Sequence, residues 1–271
     1  MTDLLERVRD HYRATGLTDR LRSALLAYGP EHQQLTPGQL ATLDQFHLRG
    51  AAATAEIAEL AAITAAMSVL DIGAGVGGPA RFLAATRGCK VTGIDLSEPF
   101  VEAARYLTDR TGQSDMVSFE RGDALGLPFD EARFDAILLQ HVAMNIADRP
   151  RLYGEAHRVL TRTGRLVIHD VVSNGAEPYF PVPWAGTPAE SVLLTAAETR
   201  NAIEQAGFRT LAWQDESETA KAWIQQLRAA PPPALNLGVV MGSGFADAAT
   251  NLGRSLIEGR VGVVAAVFEV V

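Results

Sequence analysis

The ten residues Val69-Leu70-Asp71-Ile72-Gly73-Ala74-Gly75-Val76-Gly77-Gly78 constrain this chain more than any other stretch. An apolar run enters a glycine-rich turn, and Pro79 follows where a helix would begin. Proline suits that place because its fixed φ and missing N–H cost nothing in a first helical turn. Strand, glycine turn and helix in this order form the nucleotide-facing corner of an open α/β sheet. The glycines let a ligand lie against backbone where a Cβ would collide with it. The helix then aims free N–H groups and the positive end of its dipole at any anionic part of that ligand. The G-x-G-x-x-G spacing of Gly73, Gly75 and Gly78 is shared by dinucleotide enzymes, and such glycines can also simply tighten a strand-to-helix turn.

The strands downstream sharpen this reading. Lys90 to Ile94 reads as a second strand ending in Asp95, whose carboxylate can accept hydrogen bonds from both ribose hydroxyls of an adenosine. Ser97 is expected to cap the next helix, with Pro99 in its first turn. A third strand near Met116 to Arg121 leads into Gly122-Asp123-Ala124, and a fourth, Phe134 to Leu139, into Gln140-His141. Nicotinamide binding would account for the glycines and Asp95 but gives no reason for the Gly-Asp-Ala segment. This set of motifs resembles the class I S-adenosylmethionine (SAM) methyltransferases, from about Gln45 to the C-terminus. The resemblance implies a doubly wound, Rossmann-like α/β fold. Its mostly parallel sheet of seven strands has an antiparallel last strand, here the apolar run Val261 to Val271, and carries a helical lid. In that family an acid after the third strand faces the adenine amino group, and Asp123 holds that position. The implied SAM-binding set is Asp71, Gly73, Ala74, Gly75, Asp95, Leu96, Gly122, Asp123, Ala124, Gln140 and His141. Ala74 stands where a cysteine is common in the family; both side chains are small.

Composition sets the outer limits. With 271 residues, 47% of them hydrophobic and 21% charged, the chain can bury a full globular core. Net charge is -8 at pH 7, and no Lys/Arg cluster forms the positive stripe that nucleic acid requires. No apolar run is long enough for a membrane span, and Met1-Thr2-Asp3-Leu4-Leu5-Glu6 lacks the pattern of a signal peptide. Cys89 is the only cysteine, which fits a cytoplasmic protein and reads as a small buried hydrophobe. The six histidines show no metal-ligand spacing, so no metal is expected.

Along the chain, residues 1–66 read as an N-terminal helical lid, 67–216 as the α/β core, 217–259 as a helical insertion and 260–271 as the last strand. Thr36-Pro37-Gly38-Gln39 is a capping box opening a helix, and Thr195-Ala196-Ala197-Glu198 is another, its helix stopping at Gly207. Ala51 to Ala62 reads as a helix. A helix from near Asp148 is expected to end at Gly164, with a fifth strand from Arg165 to Asp170 and a sixth from Phe208 to Trp213. Prolines exclude Tyr179 to Trp184 from a central strand, leaving a loop at the ligand edge of the sheet. The insertion, broken by Pro231-Pro232-Pro233, is expected to cap the pocket, to pair two subunits, or both.

Chemistry should sit outside the carboxyl ends of the strands. His141, just after the fourth strand, is either the general base or a residue that positions ligand or loop. Asp44-Gln45-Phe46-His47-Leu48-Arg49-Gly50 and Gln140-His141-Val142-Ala143-Met144-Asn145-Ile146 look like a small-molecule subgroup that includes sarcosine/dimethylglycine, sterol and tocopherol methyltransferases. By that resemblance Gln45 and His47 lie on the lid, touching the methionine end of SAM or the acceptor; the plainer reading has Phe46 in the core and His47 on a helix surface. Asn145 and Trp184 are expected at the acceptor. His11, His32, His157 and His169 read as surface or strand-end residues. The expected activity is methyl transfer to a small molecule, nitrogen first, oxygen or carbon next; a SAM-binding scaffold or cyclase is the reading from another class.

Overall fold

A computed structural model describes residues 6–7, 11–12, 14–229, 231, 233 and 235–271. The strands are β1 (Ser68–Ile72), β2 (Lys90–Asp95), β3 (Val117–Arg121), β4 (Phe134–Gln140), β5 (Leu160–Ser173), β6 (Phe208–Asp215) and β7 (Val261–Val270). They form one sheet in the order β3-β2-β1-β4-β5-β7-β6. The strands from β3 to β5 pair in parallel, while β7 runs antiparallel to both β5 and β6. Chain order reverses between β1 and β4, so a crevice opens at their carboxyl ends.

Because successive strand residues face opposite sides, β1 alone builds both halves of the core. Leu70 and Ile72 pack with Leu152 and Ala156 of helix α6 (Arg149–Val159) and Ile203 of α7 (Ala196–Gln205). Val69, on the other face, packs with Ile57 of α3 (Ala51–Leu60), Leu83 of α4 (Gly78–Arg87) and Ala104 of α5 (Glu98–Arg110). A separate apolar cluster lies above the crevice. It joins Leu17, Leu21 and Leu25 of α1 (Leu17–Leu25), Leu40 and Leu43 of α2 (Pro37–Asp44), and Leu235 and Val240 from the stretch before β7. That stretch holds α8 (Ser217–Ala229), the four-residue α9 (Gly238–Met241) and α10 (Phe245–Ile257).

Local signals held at many places. Thr36 and Thr195 both form complete capping boxes, with Gln39 and Glu198 reaching back. Gly207 sits just past α7 with φ +94°, and Cys89 is fully buried. Other expectations need correction. α6 stops at Val159, not at Gly164, and β5 begins at Leu160. The β4–β5 register jumps between Phe134↔Leu160 and Ala136↔Arg165, so Gly164 lies in an irregular bend inside the strand. A Cβ at Gly164 would lie 2.8 Å from the Thr161 carbonyl oxygen, which is why glycine stands there. Ser97 occupies the N-cap of α5, but its side chain does not cap; Oγ donates to the Tyr12 carbonyl instead. α3 ends at Leu60, with Ala62 turned to φ +49°. His47 lies beyond the end of α2 and is buried, not on a helix surface, and His169 is fully buried inside β5. Residues 1–5 of the expected lid, and Pro232 of the expected break, lie outside the described residues. Among the described residues no helix is long and apolar enough to cross a membrane.

Candidate active site

The glycine turn after β1 closes on itself through the Gly77 amide, which donates to the Ala74 carbonyl at 2.8 Å. Gly73, Gly75 and Gly77 take φ of +71°, +54° and +82°, a region costly for residues with a Cβ. Packing adds its own demand. A Cβ at Gly77 would lie 2.3 Å from the Phe119 ring, and one at Gly78 2.1 Å from the Asp44 carbonyl oxygen. The Gly73 and Ala74 amides bond to the Ile94 carbonyl at 2.8 and 3.0 Å, which locks the turn to the end of β2.

Asp95 completes that corner. Its Oδ2 accepts from the Gly75 amide at 2.9 Å and its Oδ1 from the Ser97 amide at 2.9 Å. Each carboxylate oxygen has room for a second donor, so the pair can also take ribose hydroxyls. Asp123 follows β3, where Oδ1 accepts the Leu125 amide at 2.9 Å in a turn that presents the residue to the crevice. Asp71, buried at the end of β1, has an Oδ2 with no hydrogen-bond partner. Burial, helped by the charge of Asp95, lifts its carboxyl to about 7. Gln140 Nε2 is likewise buried without a partner. Orphaned polar atoms, a bare backbone turn and two carboxylates at neighbouring strand ends fit an adenosine carrying a cationic amino-acid tail.

A cavity of about 610 Å³ runs along this edge, within the usual size of small-molecule sites. Gly73, Gly75, Asp95, Leu96, Gly122, Asp123 and Ala124 line it. So do Gln140, His141, Asn145 and Trp184, together with the charged Asp148 and Arg151. Asn145 acts as a clip there. Its Nδ2 donates to the Trp184 carbonyl at 2.8 Å, and its Oδ1 accepts from the Tyr12 hydroxyl at 3.2 Å. Asp71, Ala74 and His47 line a much smaller cleft beneath the glycine turn, with Gln140 shared between the two spaces. Gln45, also buried, lines neither cavity; its Oε1 accepts from Thr54 Oγ1 at 3.5 Å.

Three histidine rings, of His141, His169 and His47, meet here. The His141 and His169 rings stack with centroids 5.2 Å apart and planes within 10°. His47 stands edge-on to both, at 6.2 and 5.7 Å. Burial, and for His141 also the nearby His47, holds His141 and His169 well below the usual imidazole range and His47 at about 4. All three are therefore neutral at physiological pH. Among the described residues no histidine, cysteine or acid group is arranged to hold a metal ion. Arg49, buried beside this cluster at φ +68°, is paired with Glu216 and Glu56 and ties the lid loop to the start of α8.

The sequence reading did not single out Tyr12, Phe100 or Leu237, which line the cavity from the N-terminal region, α5 and the approach to α9. Nothing local marks them, because they arrive by tertiary packing. His169, read as a surface or strand-end residue, did carry a signal of burial: it sits in Leu166-Val167-Ile168-His169-Asp170-Val171, where apolar neighbours on both faces bury the strand.

Comparison with known proteins agrees with this geometry. Residues 70–168 match the model of a methyltransferase domain. The chain is 36% identical over 134 residues to methyltransferase GfsG of Streptomyces halstedii, a match that covers 49% of this chain and 48% of that one. A sterol 24-C-methyltransferase of Eremothecium gossypii, an O-methyltransferase of Penicillium expansum and the glycine/sarcosine/dimethylglycine N-methyltransferase of Actinopolyspora halophila also match parts of it, at 32–35% identity. The chain thus spans about half, or less, of the curated relatives it matches. Among solved structures, the [4+2]-cyclase SpnF superposes with a TM-score of 0.69, at 22% identity over 98% of this chain and 96% of that one. A geranyl diphosphate C-methyltransferase from Streptomyces coelicolor A3(2), in complex with S-adenosyl-L-homocysteine, reaches 0.71 at 17% identity over 99% and 98%. Residues 70–168 thus match a methyltransferase domain, and the sheet order is that of the fold these solved structures share.

Proposed function

We propose that the chain moves a methyl group from SAM to a small, uncharged and largely apolar acceptor, with oxygen as the receiving atom. The observation that carries this reading is one continuous cavity whose lining holds the Asp95 and Asp123 carboxylates, the neutral His141 imidazole and a set of apolar walls. When bound, SAM supplies an electrophilic methyl on a sulfonium sulfur that leaves as a neutral thioether. The site residues of the sequence reading enter the proposal in these places. Asp95 and Asp123 hold the adenosine. The glycine turn, Asp71 and Gln140 face its amino-acid tail, and Gln45 and His47 back that corner from below.

His141 is proposed as the base that takes the acceptor's proton. A neutral imidazole can accept one at once, and alignment supplies more of the rate than the base does: about 7–11 kcal/mol from positioning against about 10²–10⁴-fold from proton transfer. The cavity walls include the apolar Met144, Pro183, Trp184, Leu237, Met241 and Phe245. Arg151, the cation in the lining, is engaged with the Leu125 carbonyl beside the Asp123 turn. An acceptor carboxylate held among the apolar walls would therefore be buried without a counter-ion. This favours an uncharged acceptor, with oxygen ahead of nitrogen, the first expectation from resemblance. Residues 1–66 and 217–259 are read together as the cover of this chamber, in a cytoplasmic enzyme.

The test supplies SAM with a labelled methyl group and a panel of apolar alcohols, phenols and amines, and reads product mass together with S-adenosylhomocysteine. Labelled product on oxygen with matched release of S-adenosylhomocysteine is the expected result. Labelled amines alone would overturn the choice of atom. Tight SAM binding with unlabelled, rearranged product would favour the scaffold or cyclase reading.

A further inference from the structure

We propose that His169 is a positioning residue for His141, holding its backbone and its ring in the orientation the methyl-transfer site requires. The inference rests on the role given to His141 above. Two contacts from the same residue carry it. The His169 carbonyl accepts the His141 amide at 2.9 Å, and the His169 ring lies flat against the His141 ring.

The geometry decides between positioning and proton relay. An imidazole lone pair and its N–H lie in the ring plane, so rings stacked within 10° cannot hydrogen-bond to each other through their nitrogens. A proton taken by His141 therefore does not pass directly to His169. A flat stack does restrict tilt of the ring above it, which a branched aliphatic side chain would not do.

His141 needs such support because its backbone is strained. It sits at φ +54°, one of few non-glycine residues in the left-handed region, directly after β4. Strain of this kind persists only where surrounding structure over-determines it, and it gathers at functional sites. The His169 ring is also costly to keep: it is fully buried, and neither Nδ1 nor Nε2 has a partner. A leucine or valine would suit that strand position better by burial alone.

The groups facing the pair are few. His47 stands edge-on from the loop after α2, with Thr54 Oγ1 of α3 3.0 Å from its Nε2. Gln140 precedes His141 on β4, and Arg49, paired with Glu216 and Glu56, is the cation whose charge acts on His169. None of these replaces the stacked face, so removing the ring should free His141 rather than recharge it.

The experiment needs no acceptor. Protein with ¹⁵N-labelled histidine is titrated by NMR with and without S-adenosylhomocysteine, and His141 is identified by the signals lost in His141→Asn. The parent chain should show one narrow His141 ring signal that stays neutral well below pH 6.5. His169→Phe, which keeps a flat ring, should preserve it. His169→Leu should broaden or split the signal, while S-adenosylhomocysteine binds within about twofold of the parent. The proposal is overturned if His169→Leu leaves the signal narrow and single, or if His169→Phe behaves as His169→Leu does. It also falls, without any variant, if the parent ring already exchanges between orientations. Failure of S-adenosylhomocysteine to bind the parent would sink the methyl-transfer reading, and the ligand-free spectra would still decide the stack.

Discussion

At the residue scale, the two acids at the glycine corner do different work. Asp95 ties the Gly75 and Ser97 amides at once, so Asp95→Ala removes two charge-assisted hydrogen bonds together with the proposed ribose acceptors. Such bonds are worth roughly 1.5–3 kcal/mol each. Calorimetric affinity for S-adenosylhomocysteine should fall by tenfold or more. Asp71 gives a pH signature instead. Its folded carboxyl, raised to about 7, holds a proton that the unfolded chain releases near pH 4. That contribution to stability is full below about pH 4 and is lost as pH rises through 7. A cationic ligand tail prefers the ionised form, so affinity should weaken about tenfold from pH 8 to pH 6. In Asp71→Asn the affinity should be flat over that interval; a parent profile equally flat would remove Asp71 from the site. For His141→Ala, turnover on a hydroxyl acceptor should drop by about 10²–10⁴-fold with S-adenosylhomocysteine affinity kept.

At the element scale, helix α2 is anchored by a buried ion pair. Asp44 Oδ2 accepts from Arg81 Nη2 of α4 at 2.8 Å, and neither side chain is more than 2% exposed. Arg81→Leu strands the Asp44 charge, which should cost about 3–5 kcal/mol in urea unfolding. Arg81→Leu with Asp44→Leu should recover most of the loss, because the uncompensated charge goes with its partner. This level is where the sequence was most legible. Capping boxes, glycine stops and strand alternation are local, so Thr36, Thr195 and Gly207 announced their elements, and Asp95 and Asp123 their strand ends. The bend at Gly164 was illegible because glycine after a helix-like run reads as a stop, and only the β4 register shows that the strand had already begun. His169 was misplaced because a polar residue was set against its type and not against its apolar neighbours. The apolar wall of the cavity was illegible for another reason: Tyr12, Phe100 and Leu237 meet only after the chain has folded.

At the scale of the whole molecule, the proposed cofactor and acceptor parts of the cavity are carried by different stretches of chain. The glycine corner belongs to the sheet, whereas Leu237, Met241 and Phe245 belong to the stretch between β6 and β7. Phe245→Ala should therefore weaken or redirect acceptor use while S-adenosylhomocysteine binding stays near the parent value. Equal loss of both would show that the two ends are not separable. Saturating S-adenosylhomocysteine at about a hundred times its Kd should add about 2.7 kcal/mol to folding. At this size that corresponds to a rise in Tm of roughly 5–10 °C, measurable by differential scanning calorimetry.

The apolar cluster over the crevice has a consequence for exchange with solvent. α1 and α2 share it with Leu235 and Val240, so two stretches almost two hundred positions apart along the chain seal a single roof. Opening either flank leaves the other without its partner surface. Traffic in and out should then require both flanks to lift together, so loosening either one should speed exchange as much as loosening the other.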